Sequence, residues 1–337
     1  MFFSAHKSKL GIDIGTSSIK VVELKKEEEQ YSLLTYGTVT INSGAVARME
    51  YDAIAETASI LKKLLLEAEV AQKRAVASLP NNIVFVSVIE LPGVSEKEMS
   101  EAIQWEARRY VPLPLEEVTL SWSILEDEDK DAKPKVLLTA VPTTVVENYL
   151  KMFKLSGIIP LALEIEALAL IRSLVGVRKD SFLIIDIGAR NTSLNLIERG
   201  FLRVSRNLPV GGDSITQAIA QSLRISFNRA EQFKKDLGLS GGLQQIPQTM
   251  RPVVDAIKNE TVQLIKIYES SGGAIQEIIF AGSGSKLPGL PGYFSDLKIK
   301  TQLGDPLKYV HYDPRLKPNF QALALDLSVA LGLAMRE

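Results

Sequence analysis

The stretch LGIDIGTSSIKVVEL, residues 10–24, decides the fold of this protein, because one aspartate interrupts its apolar run. Side chains alternate across a strand, so Ile12 and Ile14 point to one face and Asp13 to the other. Gly15 and three hydroxyl side chains follow, and then a second apolar strand begins. The pattern predicts a strand, a tight turn and a returning strand, with a carboxylate beside the turn.

Nearly the same phrase returns as LIIDIGARNTSLNLIE, residues 183–198. Asp186 and Gly188 match Asp13 and Gly15, and both returning strands are apolar. The second turn reads as two residues longer than the first. Two matched units so far apart in the chain indicate a protein built from two related domains.

The chemistry of both turns suits a nucleoside triphosphate with its magnesium ion. Glycine lets a backbone approach a ligand closely, and successive N–H groups in a tight turn bind anions. Asp13 would repel a phosphate directly, but Mg²⁺ keeps several waters and takes only one or two carboxylates. Lys20, on the returning strand, can supply a positive charge to a phosphate. The alternative is that both phrases are ordinary β-hairpins without a ligand. That alternative would account for one such phrase more readily than for two matched ones.

A third glycine-rich phrase is FAGSGSKLPGL, residues 280–290. Nucleotide-binding crevices lie at the carboxyl ends of strands, and here a strand ends at Gly282. The dinucleotide fingerprint would require a third glycine where Leu287 stands, and no Walker A motif occurs in the chain. The spacing therefore excludes both the Rossmann and the P-loop type of site.

Composition excludes several classes of function. The 337 residues suffice for two or three domains, and the absence of cysteine excludes disulfides and thiol chemistry. The two histidines, His6 and His311, lie far apart, which argues against a histidine metal cluster or a Ser-His-Asp triad. A net charge of −1 without a basic block argues against nucleic-acid binding. No apolar run is long enough to span a membrane, so we expect a cytoplasmic protein that reaches the membrane only through partners.

The three phrases, in this order, resemble the motifs of the actin-like ATPase superfamily, which includes actin, heat-shock chaperones, sugar kinases and FtsA. The resemblance implies an α/β fold with ATP and Mg²⁺ in a cleft between two related domains. It implies that Asp13 and Asp186 hold the hydrated metal ion. The other implied nucleotide-binding residues are Gly15, Thr16, Ser17, Ser18, Lys20, Gly188, Arg190, Asn191, Thr192, Gly211, Gly212, Glu231, Lys234, Gly282, Ser283, Gly284 and Leu287. For Glu231 and Lys234, an exposed helix face is the alternative interpretation.

A catalytic acid is implied by the segment ALEIEALALIRSL, residues 162–174, which resembles the first connecting motif of the superfamily. In that motif an acid or amide positions the attacking water. Glu164 occupies the position, and Glu166 is the near alternative. A carboxylate there can orient or activate water. The other interpretation is a glutamate at a helix start, where it interacts favourably with the helix dipole.

The segment of residues 76–160 reads as strands and helices of a small inserted subdomain, like the extra subdomain of FtsA. Its phrase LPGVSEKEMSEAIQWEARRYVPLPLEEVTLSWSIL, residues 91–125, is similar to the PilM family of type IV pilus assembly proteins. That resemblance covers essentially the whole chain. The predicted domains are domain I at 1–75, 161–180 and 316–337, the inserted subdomain at 76–160, and domain II at 181–315 with a helical part at 213–275.

The PilM resemblance implies a scaffold whose partner is the short cytoplasmic tail of the inner-membrane protein PilN. PilN, together with PilO, would link it to the pilus machine at the inner face of the cytoplasmic membrane. The tail would bind as an extended peptide in a groove of domain I and the inserted subdomain. Candidates to line the groove are Trp105, Tyr110, Pro112 and Pro114, although such residues are also common in cores and at helix ends.

Two other functions stay open at this point. One is an FtsA-like, filament-forming cytoskeletal protein, which would self-associate. The other is a small-molecule kinase of the same superfamily, which needs a substrate pocket and a catalytic base that the sequence does not clearly supply. A slow ATPase activity is compatible with the motifs but is not required by them.

Overall fold

The computed structural model describes residues 8–27, 30–41, 51–91, 96–125, 135–239 and 245–337. Its strands are β1 Ser8–Ile14, β2 Ser18–Glu27, β3 Gln30–Thr40, β4 Arg74–Leu79, β5 Phe85–Glu90, β6 Val118–Leu125, β7 Lys135–Pro142, β8 Ile159–Ile165, β9 Phe182–Ile187, β10 Thr192–Glu198, β11 Phe201–Leu208, β12 Glu277–Ala281, β13 Lys300–Leu303 and β14 Val310–His311. Its α-helices are α1 Tyr51–Glu67, α2 Glu96–Tyr110, α3 Thr143–Ser156, α4 Glu166–Leu170, α5 Gly212–Leu223, α6 Phe227–Leu237, α7 Gln245–Ser270, α8 Leu290–Tyr293, α9 Lys317–Leu323 and α10 Ser328–Ala334. Among the helices described, none is both long and apolar enough to cross a bilayer.

Two large sheets share one strand order. The first runs β14-β3-β2-β1-β4-β8 and the second runs β11-β10-β9-β12-β13. In each sheet three antiparallel strands come first and two parallel strands follow, with β14 added beside β3 in the first sheet. The two halves of the molecule are therefore built on the same plan, as the repeated phrase predicts.

The two turns have the same length. Ile14 pairs with Ile19 across the first turn, and Ile187 pairs with Thr192 across the second. The same hydrogen bond closes both: the Gly15 N–H donates to the Ser18 carbonyl at 3.0 Å, and the Gly188 N–H to the Asn191 carbonyl at 2.9 Å. The prediction of a longer second turn is wrong.

The reason for that error is that polar side chains continue into strand β10. Thr192 is fully buried, and its hydroxyl donates to the Val210 carbonyl at 2.8 Å. Ser193 is also buried and accepts a hydrogen bond from the Asn195 side chain at 3.0 Å. Since buried polar groups are tolerated when they are hydrogen-bonded, these residues belong to the strand although their composition resembles a loop.

The last helix packs tightly behind the first sheet. A Cβ at Gly11 of β1 would lie 2.1 Å from the Ala330 carbonyl oxygen of α10. A Cβ at Gly332 would lie 1.9 Å from the Ala169 carbonyl oxygen of α4. Because neither position can hold a larger residue without movement, two glycines let α10 lie directly against β1 and α4.

The third sheet is antiparallel, in the order β5-β7-β6. Helix α2 covers one face, where Ile103 and Ala107 join Val136 and Leu138 in a separate core. Strand β4 lies at the predicted start of the inserted subdomain, but it belongs to the first sheet, and α3 near its end carries Phe153 into the first core. The separate sheet therefore spans β5 to β7, and the predicted domain boundaries stay a prediction.

Candidate functional site

A cleft lies where β1 and β4 of the first sheet and β9 and β12 of the second end. Of the predicted site residues, it is lined by Asp13, Gly15, Thr16, Ser17, Ser18, Lys20, Asp186, Gly188, Asn191, Gly282 and Ser283. The tertiary structure thus brings the core of all three glycine phrases to one place, although they are spread from residue 13 to residue 283 of the chain.

On the first sheet, Asp13 is held by two partners. The Lys20 Nζ lies 2.9 Å from one carboxylate oxygen, and the Ser78 hydroxyl donates to the other at 2.8 Å. Asp13 and Lys20 face each other across the β1–β2 pair. Burial by itself lowers the pKa of Lys20, but the Asp13 carboxylate more than offsets this, so the pKa lies above its ordinary value.

On the second sheet, Asp186 occupies the matching strand position, and none of the residues that the structure describes forms an ion pair with it. Ser193 stands opposite it, where the first sheet has Lys20. Burial and, to a lesser extent, the nearby Asp13 charge raise the pKa of Asp186 to about 6, although Lys20 opposes the shift. Asp186 is therefore a carboxyl group that a cation in the cleft would stabilise in its charged form.

Gly282 lets the end of β12 pack directly on Asp186. Its φ is +78°, and a Cβ there would lie 2.3 Å from the Asp186 Oδ1 and 2.5 Å from the Ile187 carbonyl oxygen. A positive φ is readily adopted only by glycine. Backbone geometry at the site thus requires a glycine at position 282.

Glu166, the alternative acid, lines the cleft, whereas Glu164 does not. Burial raises the pKa of Glu166 well above its ordinary value, and the Asp13 and Asp186 charges raise it further. Glu164 instead forms ion pairs with Arg172 and with Arg336, whose Nε lies 3.4 Å from it.

The structure places Glu166 rather than Glu164 at the cleft, because β8 continues through Ile165 and the helix begins only at Glu166. A catalytic role for Glu164 stays a prediction. A glutamate at the first helical position faces the cleft, while one inside the strand is held by neighbouring arginines. A catalytic role for Glu166 itself stays a prediction.

Beside the second turn, a polar cluster surrounds the start of α5. The Lys234 Nζ donates to the Gly212 carbonyl at 3.1 Å and to the Thr216 hydroxyl at 2.8 Å, and it pairs with Glu231 at 2.6 Å. Burial raises the pKa of Glu231, but hydrogen bonds from Lys234 and Thr216 outweigh burial and lower it. With its side chain only 12% exposed, Lys234 is not on a free helix face.

This cluster adjoins the cleft through glycines. The Gly212 N–H donates to the Gly188 carbonyl at 2.9 Å, which ties α5 to the second turn. A Cβ at Gly212 would lie 3.9 Å from the Gly284 Cα, and one at Gly211 would lie 2.6 Å from the Gly188 carbonyl oxygen. The predicted nucleotide-binding residues Gly211, Gly212 and Gly284 therefore lie next to the second turn.

Three predicted residues are placed less favourably for binding a ligand. Arg190 is exposed, with its Nε 4.0 Å from Asp213. Thr192 is buried, and its hydroxyl donates to the Val210 carbonyl. Leu287 is buried in the core of the second sheet. Their roles toward a nucleotide stay predictions, and the contacts of Thr192 and Leu287 are those of structural residues.

Two contacts that the sequence did not indicate join the halves across the cleft. The Asn207 side chain of β11 donates to the Asn81 carbonyl at 3.1 Å. The Lys286 Nζ lies 2.6 Å from the Asp326 carboxylate. The local signal for Asn81 was a pair of asparagines that follows an apolar strand after one proline, and no local signal pointed to the others.

Comparison with known proteins gives one family. The family model described as type IV pilus assembly protein PilM matches residues 11–337. Among solved structures, a PilM-PilN type IV pilus biogenesis complex superposes with a TM-score of 0.87 and 28% identity over 98% of each chain. MreB 5 of Spiroplasma citri bound to AMPPNP superposes with a TM-score of 0.55 and 15% identity, over 98% of this chain and 95% of that one.

Among curated relatives, cell division protein FtsA of Bacillus subtilis (strain 168) is 25% identical over 263 residues. That match includes 68% of this chain, which spans only 58% of the length of that relative. The likeness to MreB 5 shows a shared fold alone. Together these findings confirm the predicted actin-like ATPase fold.

Proposed function

The chain belongs to the type IV pilus assembly protein PilM family, and from that premise we propose that it is an ATP-binding scaffold of the pilus assembly platform. It binds the cytoplasmic tail of PilN. PilN, together with PilO, holds it at the inner face of the cytoplasmic membrane. The observation that carries this proposal is the full-length likeness to a PilM that was solved in complex with PilN.

The residues of the cleft fit Mg-ATP. Both turns bring a glycine to the end of a strand, so that backbone N–H groups can approach phosphates closely. Lys20 would supply a positive charge, and the carboxylates of Asp13 and Asp186 would hold the metal ion through its waters. The glycines at 282 and 284 would face the adenosine. An AMPPNP-bound protein of the same fold supports this assignment.

The charges of the cleft also favour a bound cation. Asp13, Asp186 and Glu166 line the same cleft, and Lys20 is the one lysine among the described residues that line it. Burial and mutual repulsion raise the pKa of Asp186 and of Glu166. A magnesium ion, when bound, supplies the positive charge that relieves this repulsion. Glu166 would then orient a water molecule next to the phosphates.

For the PilN tail, the third sheet offers a suitable surface. Strand β6 lies at its edge, and Trp122 and Ile124 stand on one face with 40% and 46% of their surface exposed. Trp105 and Tyr110 of α2 are also exposed, so the alternative that they belong to a core does not hold. Extended peptides commonly add to an open sheet edge, with pockets for alternate side chains giving specificity.

The experiment is retention of a synthetic PilN-tail peptide by the immobilised protein at tens of micromolar. We expect the wild type to retain the peptide and Trp122→Ala to weaken its binding at least tenfold. Phe227→Ala is the matched control, since Phe227 is an aromatic residue of similar exposure, 42%, on a helix of the second half. If the wild type retains no peptide, the PilN assignment is wrong.

A further inference from the structure

Asn81 carries a buried side-chain amide that has no hydrogen-bond partner among the residues described in the structure. The residue is only 5% exposed, and it opens the short 3₁₀ turn Asn81–Ile83 that follows β4. Both its Nδ2 and its Oδ1 lack such a partner. An unpaired buried polar group destabilises the folded state, and native proteins leave few of them. We therefore expect the Asn81 amide to have a hydrogen-bond partner when the protein binds its ligand.

The backbone of Asn81 is held from both sides of the cleft. Its N–H donates to the Glu166 carboxylate, and its carbonyl accepts the hydrogen bond from Asn207 of the second sheet at 3.1 Å. The turn is thus fixed in place while its side chain has no bond. That arrangement is expected of a group set to receive a ligand.

The location of the amide distinguishes it from most other unpaired polar atoms in the part of the chain that the structure describes. Tyr149, for example, leaves its hydroxyl unpaired inside the first core. Asn81 instead lines the cleft together with Asp13, Lys20 and Glu166. Its unpaired amide therefore belongs to the place where the nucleotide is proposed to bind.

We propose that the Asn81 amide donates a hydrogen bond to the terminal phosphate of the bound nucleoside triphosphate. An amide nitrogen offers two donors, and phosphate oxygens are acceptors. Asn81 lies beside Glu166, on the first-sheet side, whereas the cluster of Gly212, Gly284 and Lys234 lies beside the second turn. The triphosphate end of the ligand is the part that reaches Asn81. This inference rests on the proposed nucleotide site.

A terminal-phosphate contact makes Asn81 a residue that distinguishes ATP from ADP. Removing the amide should weaken ATP binding and leave ADP binding nearly unchanged. A purely structural residue would behave differently, because its loss would lower stability and affect both nucleotides alike.

The test measures Mg-ATP and Mg-ADP affinity by calorimetry for the wild type, Asn81→Ala and Asn319→Ala. We expect Asn81→Ala to lower the ATP affinity at least fivefold more than the ADP affinity. Asn319, an exposed asparagine of α9 that does not line the cleft, is the matched control and should change the ratio less than twofold. Thermal unfolding without nucleotide is the second readout, and Asn81→Ala should unfold at the wild-type temperature or higher, since it removes an unpaired buried amide.

Each other outcome overturns the inference. An unchanged ratio of ATP to ADP affinity in Asn81→Ala excludes the terminal-phosphate contact, and a lower unfolding temperature without nucleotide assigns Asn81 a structural role. If Asn81→Ala does not fold, Asn81→Asp keeps the shape and replaces the donor by a carboxylate, so it should weaken ATP binding even more selectively. A wild type that binds neither nucleotide contradicts the proposed function, whereas ATP binding that Asn81 does not affect contradicts this inference alone.

Discussion

The two large sheets differ in charge much more than in backbone. Both have the same strand order, the same turn and an aspartate at the same position. Asp13 is paired with Lys20 and hydrogen-bonded by Ser78, whereas Asp186 stands opposite Ser193 and has a pKa raised to about 6. The first half uses its aspartate in a buried ion pair, and the second leaves its aspartate available to a cation.

The largest effect that this comparison predicts is on stability. Asp13→Ala leaves Lys20 without its partner in a site where the lysine side chain is only 14% exposed. Breaking a buried pair from one side typically costs about 3–5 kcal/mol, so we expect the free energy of unfolding to fall by about 3 kcal/mol. Asp186→Ala should leave the free energy of unfolding unchanged or raise it at neutral pH, since it breaks no ion pair among the described residues and removes a carboxylate whose ionisation the fold disfavours.

Urea denaturation without nucleotide measures both variants. If Asp13→Ala and Asp186→Ala lower the free energy of unfolding equally, the difference between a paired and an unpaired aspartate does not hold.

The next effect is on nucleotide binding. Asp186→Ala should weaken Mg-ATP binding at least tenfold, which corresponds to about 1.4 kcal/mol, because the carboxylate that faces the hydrated metal is lost. Asp180→Ala is the control, since Asp180 is an exposed aspartate just before β9. Calorimetry in excess Mg²⁺ gives both affinities, and an unchanged value for Asp186→Ala would contradict the metal role.

The smallest effect is on the pH dependence of stability. Because the pKa of Asp186 is raised to about 6, the folded protein keeps a proton that the unfolded chain releases above about pH 4. The free energy of unfolding should therefore fall as pH rises from about 4 to about 6. Asp186→Asn should make this fall with pH less steep. The difference in slope should stay below about 1.4 kcal/mol per pH unit, which is the limit for one proton.

Urea midpoints of the nucleotide-free protein, measured at intervals from pH 4 to pH 7, test this slope. If the free energy of unfolding of Asp186→Asn falls as steeply with pH as that of the wild type, the pH dependence belongs to other groups. Glu166 is one such group, since its pKa is also raised.

Much of the site was predictable because its parts are local. The pairing of Asp13 with Lys20 follows from a four-residue turn between two strands, which places those residues opposite each other. The positive φ of Gly282 was not predictable in this way, because Gly15 and Gly188 also follow strands directly and neither has a positive φ. The choice between Glu164 and Glu166 was less predictable, since it depends on where β8 ends, and element boundaries are the least reliable part of a sequence-based prediction.

The sequence by itself determined the two strand–turn–strand units, because side-chain alternation and turn chemistry act between residues that are close in the chain. Only the tertiary structure decided that Glu166, Asn81 and Asn207 share one cleft with the two aspartates. Those contacts join residues from different strands and both halves, and they depend on sheet order and on the packing of α10 against β1. The repeated phrase specifies the two sides of the site, and the packing of the two sheets brings them together.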